Sequence, residues 1–244
     1  MRLAGKYFYF VKWGLISTVV LHFLVLKQTH RDIYISGKLL KNELENRRNI
    51  EIEDRLLEVS IIGTSISRNQ PWVDSLKHAL ASCFSGKVTI ENFSKPGVNS
   101  QKIQAIDFKL KDDAANIIII ELMLNDADLI DGVGLQRSQD NHIEIIGNLV
   151  RNTEGFIDFL FVSPNSTASI VQRMKRPFLK SYYSVYSDLS LSLGVSYLDL
   201  RPVWSDLSDK PNPVPDGLHP RSDLMDVLFP PNIAAVLCPK LITN

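Results

Sequence analysis

The chain has 244 residues, 27 basic and 27 acidic, and no formal net charge at neutral pH. No basic stripe with interleaved aromatics occurs, so nucleic-acid binding has no support, and two cysteines, Cys83 and Cys238, are too few for a disulfide scaffold. Those two either pair in an oxidising compartment or stand as buried thiols. From the N-terminus, Tyr7–Leu26 is apolar except for Lys12 and His22. Trp13–Leu26 is short for a span, but with residues 7–11 the stretch reaches the roughly 20 residues that a bilayer needs. Lys12 can snorkel to the headgroups, and Tyr7, Tyr9 and Trp13 suit an interfacial belt. Lys27-Gln28-Thr29-His30 follow, with no small-x-small cleavage site. Residues 1–26 therefore read as an uncleaved signal anchor, with a cleaved signal or a surface helix as the alternatives. Arg2, Lys6 and Lys12 lie before or within the span, and Lys27, Arg31, Lys38 and Lys41 lie after it. The charge rule gives no clean orientation; a short basic N-terminus before a lone anchor favours N-terminus in the cytoplasm and domain outside.

Residues 27–55 are polar and charged, with a thin apolar stripe of Leu39, Leu40 and Leu44, and read as a helical juxtamembrane stalk. Residues 56–244 read as one domain. Strands are expected at Leu57–Ile62, Val88–Phe93, Asn116–Leu122, Phe156–Val162 and Val195–Leu200. Helices are expected at Pro71–Phe84, Ser100–Lys111, His142–Arg151 and Pro177–Leu193. A last helix begins after Pro220 and should be broken by Pro230-Pro231. The unbroken Ile117–Ile120 run marks a strand buried on both faces. Strands alternating with helices predict an α/β fold, a five-stranded parallel sheet between helical layers, with ligands beyond the strands' carboxyl ends.

Four short segments fall at those ends. Gly63-Thr64-Ser65-Ile66 follows the first strand on a tight turn, near the start of the next helix, and exposes a hydroxyl beside backbone N–H groups. Taken alone, Ser65 or Ser67 is equally a helix cap. Pro96-Gly97 follows the second strand, as an ordinary turn or as a place where backbone approaches a substrate closely. Asn125-Asp126 follows the third strand, where a side-chain amide is a cap or an oxyanion donor. Asp216-Gly217-Leu218-His219-Pro220 lets one turn carry an imidazole base and the carboxylate that fixes its tautomer. A serine, a histidine with its aspartate, and convergent donors are the parts of an acyl-transfer site.

This constellation resembles the SGNH (GDSL-like) serine hydrolases over residues 57–240. The resemblance implies a flavodoxin-like three-layer α/β/α domain acting on esters without a cofactor. It further implies Ser65 as nucleophile, His219 as base, Asp216 as its orienting partner, and the Ser65 N–H, Gly97 N–H and Asn125 Nδ2 as oxyanion hole. Two departures stand out. Thr64 replaces the aspartate of the usual Gly-Asp-Ser-Leu segment, and Met123 replaces a glycine two residues before the asparagine, where it would narrow the pocket or wall the acyl group. A membrane-anchored esterase acting on acetyl or other O-acyl groups of envelope or exported polysaccharide is the expectation. An O-acyltransferase with the same site and a catalytically silent binding protein are the alternatives. His78 and His142 read as surface or internally satisfied histidines. Glu121 reads as support for the site or the strand edge. No metal-ligand spacing occurs, and Gly132-x-Gly134 does not open a helix straight after a strand, so no metal or phosphate loop is expected. Ser163–Arg176, with Asn165, Gln172, Arg173, Lys175 and Arg176, reads as a solvated basic loop or an acceptor surface.

Overall fold

All five apolar runs form strands in the computed structural model, which describes residues 37–49, 56–104, 108, 110, 114–205, 207 and 212–242. The strands are β1 (Leu56–Gly63), β2 (Lys87–Asn92), β3 (Ala115–Glu121), β4 (Ile157–Ser163) and β5 (Ser196–Asp199). They pair in parallel throughout, in the order β2-β1-β3-β4-β5. The three central strands are apolar on both faces because helices cover both. Nearly every residue of β1, β3 and β4 is buried, whereas the edge strands β2 and β5 are mostly half-buried.

The helices are α1 (residues 37–48), α2 (Trp72–Ala81), α3 (Ser100–Ile103), α4 (Met123–Asp126), α5 (Leu135–Arg151), α6 (Ile170–Lys175), α7 (Leu179–Leu193), α8 (Arg201–Ser205) and α9 (Ser222–Ile242). Right-handed crossovers from β1 to β2 and from β3 to β4 run in opposite directions across the sheet. That reversal places α2 on one face with α9, and α3, α5 and α7 on the other. It also opens a crevice between the carboxyl ends of β1 and β3, the switch point of a doubly wound sheet.

Two features differ from the expectation, and a third decides between alternatives left open. First, α5 begins at Leu135 rather than His142. Its first two turns are polar and still bury Ser138 and Asn141 through hydrogen bonds. Second, Pro230 and Pro231 do not break the last helix, which runs from Ser222 to Ile242 with both prolines, and Pro239, inside it. Met225, Phe229, Ile233, Leu237 and Leu241 recur every four residues and are all buried. Phe229 packs on Trp72 with ring centroids 5.3 Å apart, and Asn232 Nδ2 donates to the Leu228 carbonyl. Packing along that stripe outweighs the lost backbone bonds. Third, Cys83 and Cys238 form a disulfide, Cα atoms 5.7 Å apart, that ties the end of α2 to α9.

The expected anchor over residues 7–26 lies outside the described residues, as does much of the expected Ser100–Lys111 helix beyond Ile103. The unit carrying the sheet begins at Leu40, inside the stretch expected as a stalk. Leu40 and Leu44 of α1 join its core, and Arg48 donates from Nη1 to the Gly194 carbonyl at 2.6 Å. Among the described residues, Ser222–Leu241 of α9 is long and apolar enough to cross a membrane. Its buried stripe and its disulfide make it part of the domain core.

Candidate active site

The site grows from the end of β1. Gly63 is squeezed where a Cβ would lie 2.7 Å from Ser67 Oγ and 2.9 Å from Ser94 Oγ, so a larger residue here would have to displace both serines. Thr64 is wholly buried. Its N–H and its hydroxyl both donate to Glu121 Oε2 on the neighbouring strand, at 3.0 and 2.8 Å. The Thr64 carbonyl accepts from Ser67 N–H at 3.2 Å. These bonds coil residues 65–69 into successive turns, so Ser65 does not open a helix as expected; α2 starts only at Trp72. Any oxyanion donor beside Ser65 therefore belongs to the turn and not to a helix terminus.

Across the crevice, the turn before α9 presents His219. Gly217 has φ +78°, and a Cβ there would strike Ser169 at 2.3–2.4 Å, which reserves the position for glycine. The Ala168 N–H donates to the Gly217 carbonyl at 2.8 Å, and Asn165 Nδ2 to the Leu218 carbonyl at 2.9 Å. Asn165 is itself pinned by Tyr183, whose hydroxyl donates to the Asn165 carbonyl at 2.8 Å. The result is a short chain of contacts. Ser65 Oγ lies 2.7 Å from His219 Nε2, and His219 Nδ1 lies 2.6 Å from Asp216 Oδ2. Asp216 Oδ1 also accepts from the Leu218 and His219 N–H groups at 2.8 and 2.7 Å. Burial works to raise the Asp216 pKa, but the bonds from the His219 ring and the two backbone N–H groups outweigh it and hold the carboxyl at about 2. An ionised Asp216 keeps the His219 proton on Nδ1 and leaves Nε2 as an acceptor for the Ser65 hydroxyl.

The third side comes from the ends of β2 and β3. Gly97 has φ +67° in the turn after β2, and Asn125 lies in α4 just past β3. Asn125 Nδ2 donates to the Val98 carbonyl at 2.7 Å and so joins the two segments. One of its two amide protons is committed there, and the other remains for a ligand. Among the described residues, neither the Ser65 N–H nor the Gly97 N–H has an intramolecular acceptor. Asp126, fully buried, accepts from the Ser100 N–H at 2.7 Å and from the Ser138 hydroxyl, bracing the Gly97 segment against α5. Met123 is also buried, with its sulfur 3.5 Å from Ser138 Oγ, so it packs into the core and does not wall the crevice.

The two described histidines outside the site, His142 and His78, both have hydrogen-bond partners. His142 is fully buried; its Nδ1 donates to the Ser138 carbonyl at 2.7 Å, and its Nε2 accepts from Tyr186 OH at 3.2 Å. Burial, against the pull of nearby Asp126, lowers its pKa and keeps it neutral. Tyr186 OH in turn accepts from the Leu122 N–H at 2.9 Å, so this network holds the root of α4. His78 lies on the exposed side of α2, with Nδ1 bonded to the Asp74 carbonyl.

Sequence reasoning gave Glu121 only a supporting place at the strand edge. It sits directly beneath the Ser65 turn, with no cation among its partners, and its Oε1 has no hydrogen-bond partner. Complete burial raises its pKa from 4.5 to about 7, against the opposing bonds from the Thr64 N–H, the Thr64 hydroxyl and the Ser67 hydroxyl. The signal was a lone carboxylate closing an otherwise apolar strand; what it touches depended on how β1 aligns with β3. Within Ser163–Arg176, Asn165 and Arg176 are buried and only the stretch around α6 is solvated.

No family model matches the sequence, and no curated protein matches it by sequence. Solved structures do match the fold. A lipase/acylhydrolase from Enterococcus faecalis superposes with a TM-score of 0.58 at 18% identity, covering 74% of this chain and 96% of that one. Axe2, an acetylxylan esterase from Geobacillus stearothermophilus, does so with a TM-score of 0.56 at 13% identity, covering 76% and 94%. Structures of catalytic mutants of that esterase, altered at a serine, an aspartate or a histidine, match as well. The fold is the expected three-layer α/β/α architecture, shared with these ester hydrolases.

Proposed function

We propose that the chain is a serine-dependent ester hydrolase. The observation that carries this reading is the continuous contact Ser65 Oγ–His219 Nε2–His219 Nδ1–Asp216 Oδ2, at 2.7 and 2.6 Å, over the crevice between β1 and β3. Serine, aspartate and histidine, in the same chain order and with the last two three apart, are the types altered in the esterase's catalytic mutants.

His219 Nε2 takes the Ser65 proton as Oγ attacks the ester carbonyl carbon. The carbonyl oxygen gains charge and is met by the Ser65 N–H, the Gly97 N–H and the remaining Asn125 amide proton. Asp216 stabilises the imidazolium that forms. The tetrahedral intermediate collapses, the C–O bond to the alcohol breaks, and His219 returns the proton to the leaving oxygen. Water, deprotonated by His219, then attacks acyl-Ser65 and regenerates the serine.

The fold neighbours and the cysteine pairing support a substrate class. Acetylxylan esterase among the neighbours favours acetyl esters on a carbohydrate. The Cys83–Cys238 disulfide fits an oxidising compartment and so supports a domain outside the cytoplasm, tethered by residues 7–26. The test is hydrolysis of p-nitrophenyl acetate and of acetylated xylan by the full chain. We expect acetate release from both, with loss of about 10⁴-fold or more in Ser65→Ala. Unchanged turnover in that variant would overturn the reading.

A further inference from the structure

Ten large apolar side chains are exposed among the described residues. Six of them belong to two segments beside the site: Leu129 and Ile130 after α4, and Ile170, Val171, Met174 and Phe178 along and just past α6. Each is at least 60% exposed. The segments adjoin, because the Leu129 N–H donates to the Lys175 carbonyl at 2.9 Å. Buried Arg176 rivets the junction, with Nη2 2.9 Å from Asp128 Oδ2 and Nε donating to the Leu124 carbonyl at 2.8 Å. α6 buries none of its side chains. Ile170 and Met174 lie one turn apart on it, with Val171 alongside. An apolar cluster of this kind, fixed to the domain and facing water, marks a docking surface.

Its charge is one-sided. From Ser163 to Ser187 the chain carries Arg173, Lys175, Arg176 and Lys180 and no carboxylate. Arg176 is spent on Asp128, which leaves Arg173, Lys175 and Lys180 exposed among the apolar residues. Asp131 is exposed on the adjoining turn, and Asp216, exposed in the turn that meets Ser169, is paired with His219. Projecting aliphatic and aromatic side chains interspersed with long cationic ones suit an interface of acyl chains and anionic headgroups. There the apolar groups sink below the headgroup level while Arg and Lys stay at it.

We infer that the surface formed by Leu129, Ile130 and the Ile170–Phe178 segment docks on an anionic lipid bilayer. The inference stands whether or not Ser65 is a nucleophile. It has a consequence for the site, because Ala168 and Ser169 abut Gly217 in the His219 turn. Docking would hold the rim of the crevice at the membrane surface.

The test is amide hydrogen exchange on the full chain in detergent, with phosphatidylcholine nanodiscs, and with mixed phosphatidylcholine–phosphatidylglycerol nanodiscs. We expect exchange across residues 128–132 and 169–180 to slow several-fold with the mixed discs alone, and the protection to fall as salt is raised. The triple variant Ile170→Ser, Val171→Ser, Met174→Ser should lose that protection while β1, β3 and β4 exchange as before, which shows that it remains folded. Equal exchange in both disc types, or protection that persists in the variant, would overturn the inference. Protection in detergent that grows with protein concentration would overturn it in favour of a second copy of the chain.

Discussion

Two buried carboxylates on adjacent strands divide the sheet between them. Asp158 stands at the amino end of β4, and Glu121 at the carboxyl end of β3. Asp158 is held by two cations from outside the sheet, Lys240 of α9 and, at 3.7 Å, Arg48 of α1. Glu121 has no cation and accepts only from the Thr64 N–H and the Thr64 and Ser67 hydroxyls. At the amino end, Asp158 fastens α1 and α9 to the sheet. The carboxyl end keeps groups in reserve: the Ser65 and Gly97 N–H groups, one Asn125 amide proton and Glu121 Oε1. Free N–H donors and a carboxylate without a cation, gathered around one crevice, suit a place that receives a ligand; a carboxylate held by cations from two helices suits one that holds the fold.

Substitutions at the two ends should therefore fail differently. The largest effect expected is at the carboxyl end. His219→Ala should lower kcat by about 10⁴-fold while its urea midpoint stays near that of the parent. At the amino end, Asp158→Ala leaves two cations side by side. It should cost about 3 kcal/mol in urea unfolding, the low end for a broken buried pair because Arg48 and Lys240 are partly exposed. Its turnover per folded molecule should not change. A loss of turnover there, matched to no loss of fold, would erase the contrast. Asn125→Ala should lower kcat by about 10²–10³-fold and leave KM for a small ester nearly unchanged, as for a donor used chiefly in the transition state.

Glu121→Gln sharpens the comparison on the pH axis. The folded-state pKa of Glu121, about 7, lies above the ordinary 4.5, so the folded state holds this proton more tightly than the unfolded chain does. Its contribution to stability is full below pH 4.5 and is lost as pH rises through 7, a change of about 3 kcal/mol at most. Urea unfolding across that window should show the decline in the parent and not in Glu121→Gln. Identical slopes would mean that Glu121 is ionised in the fold throughout.

What the sequence disclosed and what it hid follow one physical line. Ile117–Ile120 and the alternation of strand and helix are local patterns, and they led to the right sheet. Asp216 and His219 share one turn, so their contact was legible from spacing. The start of α5 was not, because its first two turns bury Ser138 and Asn141 through partners distant in sequence. The same holds for the disulfide, whose cysteines are 155 residues apart. The Pro230-Pro231 pair misled for the opposite reason: a strong local signal was overridden by the buried stripe from Met225 to Leu241. Glu121 was visible as an odd carboxylate, but its grip on Thr64 exists only once β1 and β3 are aligned.

The central claim is that the Ser65 hydroxyl is made nucleophilic by His219 at the carboxyl end of the sheet. The most direct measurement is mass-spectrometric mapping of a fluorophosphonate adduct on the intact chain. The account predicts one adduct, on Ser65, absent in Ser65→Ala and strongly slowed in His219→Ala. A folded protein that takes up no probe, or takes it up equally well without His219, would contradict it.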